Sequence, residues 1–267
     1  MVDLHTHSIF SDGYLSPTEL LQKASDNGLS ALALTDHDTT SGLAEFLESS
    51  KKFPNIKAIP GCKFSCISPF ELHILAINIK NIDKISKYTK KIDEQGFIYA
   101  KEKVEYLNNI GIDATFEELT KGVVGSFRPD NIVRYLIKKG IVKTEQEGYH
   151  DYKHIIGHEI RNPANEVIET ILSADAIPIL AHPKRTKLKN DEIRVFLKEL
   201  VNLGLKGIEC YHSRHEDEEI EFYLGLAKEF GLVVSGGSDF HGDGRVEIGT
   251  GSKNKRKIPH ELLNFIL

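Results

Sequence analysis

Short apolar segments alternate with amphipathic segments along most of the chain. Seven apolar segments have the length and continuity of buried strands, and they cover residues 2–4, 31–34, 56–59, 72–79, 177–181, 207–210 and 232–235. Helical periodicity lies between most of them, at 16–27, 42–52, 164–174, 191–203 and 217–230. Because strands that are joined through helices run parallel, the alternation predicts an α/β fold with a parallel sheet or barrel.

The middle of the chain has a different pattern. Residues 81–160 are rich in Lys and Glu, and they show helical periodicity at 92–110 and 129–140 without a convincing strand. We therefore predict a barrel formed by residues 1–80 and 161–267. The intervening residues 81–160 are predicted to be a helical insertion that covers the active site.

Composition limits the classes of function. The 267 residues carry a net charge of −5, which argues against a broad basic surface and a stable nucleic-acid complex but allows a local basic pocket. No apolar run is long enough to span a membrane, and the first residues lack a signal-peptide pattern. The three cysteines, Cys62, Cys66 and Cys210, are too few for a disulfide framework and indicate a reducing, cytoplasmic compartment. The oligomeric state is left open.

Histidine and aspartate residues concentrate at the ends of the predicted strands. His5 and His7 are two residues apart on one strand, so both imidazoles project from the same face. The other members of this set follow or end strands, except His73, which another strand carries, and they are Asp12, His37, His73, His182, Asp239 and His241. Since α/β folds place active sites at the carboxyl ends of strands, we predict a cluster of divalent metals, with zinc, manganese or iron all suited to these donors.

The remaining histidines have ordinary structural explanations. His150, His154, His158, His215 and His260 lie in polar or helical contexts away from strand ends, so we expect them to be structural. Glu209 lies on the sixth strand, where it either binds metal or orients a ligand.

The ordered motifs resemble those of the PHP (polymerase and histidinol phosphatase) family. The matching segments include His5-Thr6-His7-Ser8, Thr35-Asp36-His37-Asp38, Ala181-His182-Pro183 and Ser238-Asp239-Phe240-His241. The resemblance implies a distorted seven-stranded (β/α) barrel with up to three divalent metals, and phosphoester hydrolysis as the activity.

The same resemblance implies how the metals are shared. One ion would lie between Asp12, His37 and His241, a second between His5, His7 and Asp239, and a third between His73 and His182. Asp12, His37 and His212 are the expected catalytic residues, and Tyr14, Asp36 and Asp38 are further candidates for a supporting or acid role.

The insertion resembles one subgroup of the family. Phe127-Arg128-Pro129-Asp130, together with Arg185 after His182, is similar to enzymes that hydrolyse nucleoside 3′,5′-bisphosphates and short RNA 5′ ends. That subgroup has His where this chain has Asp130. The resemblance implies that Arg128 and Arg185 bind substrate phosphate and that Asp130 lies nearby, although Arg128 pairing near its own helix is the alternative.

Lys63 departs from the family pattern. The third strand of the family ends in Gly-x-Glu with a metal-bridging Glu, whereas this chain has Gly61-Cys62-Lys63. An ammonium group has no lone pair for a metal. Four interpretations stay open: a metal is lost, Glu71 substitutes, Lys63 is carboxylated, or the ammonium replaces one cation and itself holds the substrate phosphate.

The leading hypothesis is a metal-dependent phosphoesterase that acts on a small phosphorylated metabolite, such as a nucleoside 3′,5′-bisphosphate. A binding or regulatory module with a metal site impaired at Lys63 is the main alternative. Hydrolysis of a C–N bond, as in amidohydrolases, is a third interpretation.

Overall fold

The fold is a seven-stranded barrel in a computed structural model that describes residues 1–123, 127–156 and 161–266. Within these residues the strands follow one another around the sheet in chain order. They are β1 (Val2–Thr6), β2 (Ala31–Leu34), β3 (Lys57–Cys66), β4 (Leu72–Ile77), β5 (Ile177–Leu180), β6 (Gly207–His212) and β7 (Val233–Gly237). The backbone N–H of Asp239 donates to the His5 carbonyl at 3.0 Å, which brings the segment after β7 against β1. The predicted seven-stranded α/β barrel is confirmed.

The expectation of a parallel sheet is wrong for one strand. β4 runs antiparallel to both β3 and β5. The connection between β3 and β4 spans only residues 67–71, too short for the crossover that a parallel pair requires. β3 also continues well past the predicted end at residue 59, because Gly61–Cys66 pair with β4.

Ten helices accompany the strands in the described part of the chain. They are α1 (Pro17–Asp26), α2 (Leu43–Ser50), α3 (Ile82–Asn109), α4 (Phe116–Leu119), α5 (Pro129–Lys138), α6 (Glu145–Asp151), α7 (Lys153–Ile156), α8 (Ala164–Ser173), α9 (Asn190–Asn202) and α10 (Asp217–Phe230). Short 3₁₀ helices cover Pro183–Thr186 and His260–Phe265. The Ser16–Glu19 capping box begins α1, and each side chain binds the backbone N–H of the other residue. None of these helices has the combined length and hydrophobicity needed to cross a membrane.

Helices α3 to α7 occupy the region predicted as an insertion. α3 begins at Ile82, earlier than the predicted residue 92, because the Asn81 side chain accepts from the Lys84 N–H at 3.3 Å and Ile85 packs against the barrel core. Farther along, Ala100 and Leu107 join a second apolar cluster that α5 and α7 complete. The domain boundaries and the covering role of this region stay predictions.

Candidate metal centre

The loop after β1 is fixed by the end of β2. The Asp36 carboxylate accepts hydrogen bonds from the Ser8 N–H at 2.7 Å, the Ser8 hydroxyl at 2.6 Å and the Ser11 hydroxyl at 2.7 Å. These bonds hold the turn that carries Asp12 over the barrel. Asp36 therefore positions a predicted ligand through the backbone of its loop.

Asp12, His7 and His241 form one group of possible ligands. The His241 Nε2 lies 3.2 Å from Asp12 Oδ2, and His37 Nε2 lies 3.8 Å from the same oxygen. Burial alone would lower the pKa of His241, but the Asp12 carboxylate raises that pKa to about 9. The arrangement concentrates imidazole nitrogens around one carboxylate.

Glu71, His73 and His182 form a second group. The His73 Nδ1 and His182 Nε2 face each other at 3.1 Å, close to the separation of about 3.3 Å for two nitrogens on one tetrahedral zinc ion. Glu71 Oε1 lies 3.7 Å from His73 Nδ1 and forms an ion pair with Arg185, whose Nε is 2.8 Å away. Glu71 thus joins the His73 side of the site.

His5, His7 and Asp239 form a third group, and the Lys63 ammonium lies among them. Lys63 Nζ is 2.9 Å from His5 Nε2, 3.3 Å from His7 Nε2 and 2.9 Å from Asp239 Oδ1. Burial on its own would raise the pKa of Asp239, but the Lys63 charge holds it well below its usual range. Burial and then the Lys63 charge lower the pKa of His5, so this imidazole is neutral.

Glu209 is buried beneath these groups and orients two of them. Its Oε1 accepts from His5 Nδ1 at 3.0 Å, and its Oε2 accepts from the His182 backbone N–H at 2.7 Å. With the proton on Nδ1, His5 directs its Nε2 lone pair toward Lys63. His212 is also fully buried, with its Nε2 3.8 Å from Asp239 Oδ2.

Three of the seven described non-glycine residues with a positive φ lie in this region. Asp38, His182 and Asp239 have φ values of 54°, 28° and 57°, in a region that residues other than glycine rarely adopt. Each follows the end of β2, β5 or β7. Such conformations persist only where the surrounding structure enforces them, and they cluster at functional sites.

The donor sets of two groups fit divalent cations. Imidazole with carboxylate suits zinc, manganese or iron. Among the described residues, the buried His37 Nδ1, His182 Nδ1 and His212 Nε2 have no hydrogen-bond partner. The third group differs, because the lone pairs of its two imidazoles and its carboxylate already accept hydrogen bonds from Lys63.

A cavity of about 290 Å³ opens beside the centre. Asp12, Asp239 and His241 line one side of it. The other walls carry basic, acidic and aromatic side chains: Tyr14, Asp130, Arg134, Glu145, Tyr149, Arg185, Arg214, Asp243 and Arg245. Four guanidinium groups and five carboxylates therefore line this small cavity.

The predicted phosphate-binding residues have different surroundings. Arg185 lines the cavity, and its NH1 is 3.6 Å from Asp239 Oδ2. Arg128 is buried, and its NH1 donates to Asp38 Oδ2 at 2.9 Å. Asp130 lines the cavity and accepts from the Tyr149 hydroxyl. Lys63 is 1% exposed and does not line the cavity. Substrate roles for all four stay predictions.

The structure brings all eight predicted metal ligands together, and their metal-binding role stays a prediction. Of the histidines expected to be structural, His215 donates from Nδ1 to the Cys210 carbonyl at 2.8 Å and His260 contacts Ser30. His150 pairs with Asp151, and His154 packs near Tyr106. His158 lies outside the described residues.

Sequence reasoning missed three cavity arginines, Arg134, Arg214 and Arg245. Arg214 follows β6 by two residues, and its backbone N–H donates to His212 Nδ1 at 3.1 Å. Arg245 follows His241 by four residues. A search for cationic side chains after strand ends, in addition to histidines, would have identified these two arginines.

Comparisons with known proteins identify the family and several relatives of this chain. A family model described as "PHP domain" matches residues 3–174. A 5′-3′ exoribonuclease of Haemophilus influenzae is 31% identical over 90% of this chain and 89% of its own length. A 3′,5′-nucleoside bisphosphate phosphatase of Chromobacterium violaceum is 27% identical over 93% of this chain and 90% of its own length.

Solved structures share the fold. A structure from Bifidobacterium adolescentis matches with a TM-score of 0.83 and 24% identity, over 100% of this chain and 95% of its own. A structure from Chromobacterium violaceum, named an amidohydrolase and solved with sulfate and without metal, matches with a TM-score of 0.82 and 25% identity. That match covers 100% of this chain and 97% of the other.

Proposed function

The chain belongs to the PHP domain family of metal-dependent phosphoesterases, and we propose that its substrate is a nucleotide with two phosphates, such as a nucleoside 3′,5′-bisphosphate. One observation carries this proposal. The cavity of about 290 Å³ joins side chains of the metal-binding groups to four arginines. A single phosphate held at the metals would leave Arg214, which has no acidic partner among the described residues, without an anion.

The arginines differ in how free they are to bind phosphate. Arg185 and Arg245 pair with carboxylates, and Arg134 donates to the Asp12 carbonyl at 2.8 Å. Arg214 is exposed, and no described acidic side chain lies within ion-pair distance of its guanidinium. Guanidinium groups bind phosphate in bidentate fashion. We assign Arg214 to the phosphate that is not hydrolysed.

Two groups would hold the metals: Asp12 with His37 and His241, and Glu71 with His73 and His182. Divalent ions there would supply Lewis-acid stabilisation of the phosphoryl oxygens and activate water for attack. Within the chain, Asp36 keeps the Asp12 loop in place. His212 Nδ1 accepts from the Arg214 N–H, so Nε2 carries the ring proton and faces the centre beside Asp239.

A short RNA 5′ end is the second candidate substrate. The Haemophilus influenzae relative, at 31% identity, is named a 5′-3′ exoribonuclease, and the first nucleotide of a 5′-phosphorylated RNA also carries phosphorus on both its 5′ and 3′ oxygens, the latter as a diester. The small cavity volume favours a mononucleotide over a long polynucleotide, in keeping with no stable nucleic-acid complex. Manganese, zinc and iron all suit the donors, and the cytoplasmic location stays an expectation.

Product formation tests the substrate proposal, measured as inorganic phosphate for the two mononucleotides and as released nucleoside monophosphate for the dinucleotide. The Mn²⁺-loaded protein is assayed with adenosine 3′,5′-bisphosphate, adenosine 5′-monophosphate and a 5′-phosphorylated dinucleotide. We expect the bisphosphate to have the highest kcat/KM. Arg214→Ala should lower kcat/KM for the bisphosphate at least tenfold, which corresponds to about 1.4 kcal/mol. The same substitution should change kcat/KM for the monophosphate much less.

Arg194→Ala is the matched control, because Arg194 is a surface arginine on α9 that pairs with Glu229 outside the cavity. It should leave all three rates unchanged. Equal kcat/KM values for mono- and bisphosphate, with no effect of Arg214→Ala, would overturn the proposed substrate. No turnover of any phosphoester would favour the binding-module alternative.

A further inference from the structure

Lys63 is fixed at the centre of the barrel by its own backbone. Its N–H donates to the Asp36 carbonyl at 3.0 Å, and its carbonyl accepts from the Asp38 N–H at 2.7 Å. These bonds join β3 to the segment after β2 on one side, while β4 pairs with β3 on the other. The side chain is 1% exposed, so its position is determined by the barrel wall.

The ammonium group has a complete set of partners there. A lysine ammonium has three N–H donors, and Lys63 Nζ has three acceptors within hydrogen-bond distance: His5 Nε2, His7 Nε2 and Asp239 Oδ1. A buried cation is tolerated when it is paired with a carboxylate and fully hydrogen-bonded. Asp239 supplies that carboxylate, itself 5% exposed.

From this geometry we propose that the Lys63 ammonium is a built-in cation that takes the place of one divalent ion. It uses the three lone pairs that would otherwise bind that ion. Divalent metals in this chain are then confined to the other two groups, around Asp12 with His241 and around His73 with His182.

The alternatives for Lys63 fit the contacts less well. A carboxylated lysine keeps a single N–H, so two of the three acceptors would need a metal ion in place of a hydrogen bond. It would also add a negative charge next to Asp239. Glu71 does not restore a carboxylate here, because it lies beside His73 and pairs with Arg185.

His7 shows how one lysine affects the neighbouring site. When His7 Nε2 accepts from Lys63, the neutral ring carries its proton on Nδ1, the nitrogen that lies 3.5 Å from Asp12 Oδ1. His7 then supports Asp12 as a donor and has no lone pair left for a metal. The ion at that site depends on Asp12, His37 and His241.

Metal counting and anomalous scattering test the inference on the full-length protein. Chelator-treated protein is reloaded with excess Mn²⁺, freed of unbound metal and analysed by elemental mass spectrometry, and crystals are measured at the manganese edge. We expect at most two ions per chain and no anomalous peak between His5 Nε2, His7 Nε2 and Asp239 Oδ1. A peak at that position in the wild-type chain would overturn the inference.

Lys63→Glu replaces the ammonium with a carboxylate and should gain one Mn²⁺ per chain, with a peak at the position of the former Nζ. Lys57→Glu is the matched control, because Lys57 is an exposed lysine on the same strand and the charge change is identical. It should leave the count unchanged. A folded Lys63→Glu protein without the additional ion would contradict the inference. If this variant does not fold, the anomalous map of the wild-type crystals still tests the inference.

Carboxylation is tested separately by ¹³C NMR of wild-type protein in labelled bicarbonate, with Lys63→Arg as reference. A carbamate signal that is absent from the variant would overturn the inference, and no such signal supports it. The inference rests on the metal centre of the proposed function. Because ions are counted without turnover, inactive protein with the expected count would contradict the proposed function alone.

Discussion

Replacing Arg128 with methionine separates two roles for a residue that the sequence associates with substrate phosphate. In the structure its NH1 donates to Asp38 Oδ2 at 2.9 Å, and the two side chains are 7% and 1% exposed. Arg128→Met keeps much of the aliphatic volume and removes the guanidinium. The Asp38 carboxylate then stays buried, with the Ser65 N–H at 3.1 Å as a remaining donor.

The expected cost follows from the buried charge. Breaking a buried ion pair by removing one partner costs about 3–5 kcal/mol. The carboxyl can instead take up a proton, and from its ordinary pKa of 3.8 this costs about 4 kcal/mol at pH 7. Burial already raises the pKa of Asp38 and Arg128 opposes the rise, so the variant protonates more readily. We expect a loss of about 3–4 kcal/mol at pH 7 and less than about 2 kcal/mol at pH 5.

Urea unfolding of metal-free protein at both pH values measures this loss. Arg194→Met, on the surface of α9, is the control and should change the free energy of unfolding by less than about 0.5 kcal/mol. Adding Asp38→Asn to Arg128→Met should recover at least half of the loss. A loss below about 1 kcal/mol at pH 7, together with a raised KM for the bisphosphate, would refute the structural role and identify Arg128 as a phosphate ligand.

Two further variants test the packing and the charge of the centre. Gly237→Ala should destabilise the protein by at least about 3 kcal/mol, because its new Cβ would lie 2.1 Å from His5 Cβ. Gly225→Ala on α10, where a Cβ has open space, should stabilise by about 1 kcal/mol in the same urea titration, and equal effects of the two would contradict the packing argument. Asp12 raises the pKa of His241 to about 9, so in metal-free protein this pair contributes stability that is fully present below about pH 6.5 and lost as the pH rises through 9. His241→Asn should remove that decline in a urea series from pH 6 to 10, and an unchanged decline would show that other groups cause it.

The position of the candidate metal ligands at the strand ends could be predicted from the sequence. The continuous apolar segments predicted all seven strands. The expectation that ligands lie at strand ends identified His5, His182 and Asp239 from the sequence alone. These properties are local in sequence or follow directly from the α/β arrangement. The structure accordingly brings the predicted ligands together.

Features that depend on how distant segments pack together could not be predicted from the sequence. The direction of β4 depends on the length of its connection to β3. The charged Lys63 interrupts the apolar pattern of β3, so the continuation of this strand to Cys66 was not predicted. Whether Arg128 points to substrate or to Asp38 depends on how α5 docks on the barrel, which periodicity does not specify. The cavity roles of Arg214 and Arg245 likewise depend on loop conformation.

The central claim is metal-dependent phosphoester hydrolysis at this cluster of histidines and aspartates. Its most direct test is phosphate release from adenosine 3′,5′-bisphosphate by chelator-treated protein before and after addition of Mn²⁺, with Asp12→Asn measured in parallel. The account predicts no turnover without metal, restored turnover with Mn²⁺, and a loss of at least a hundredfold in the variant. Full turnover by the metal-free protein, or by Asp12→Asn, would contradict it.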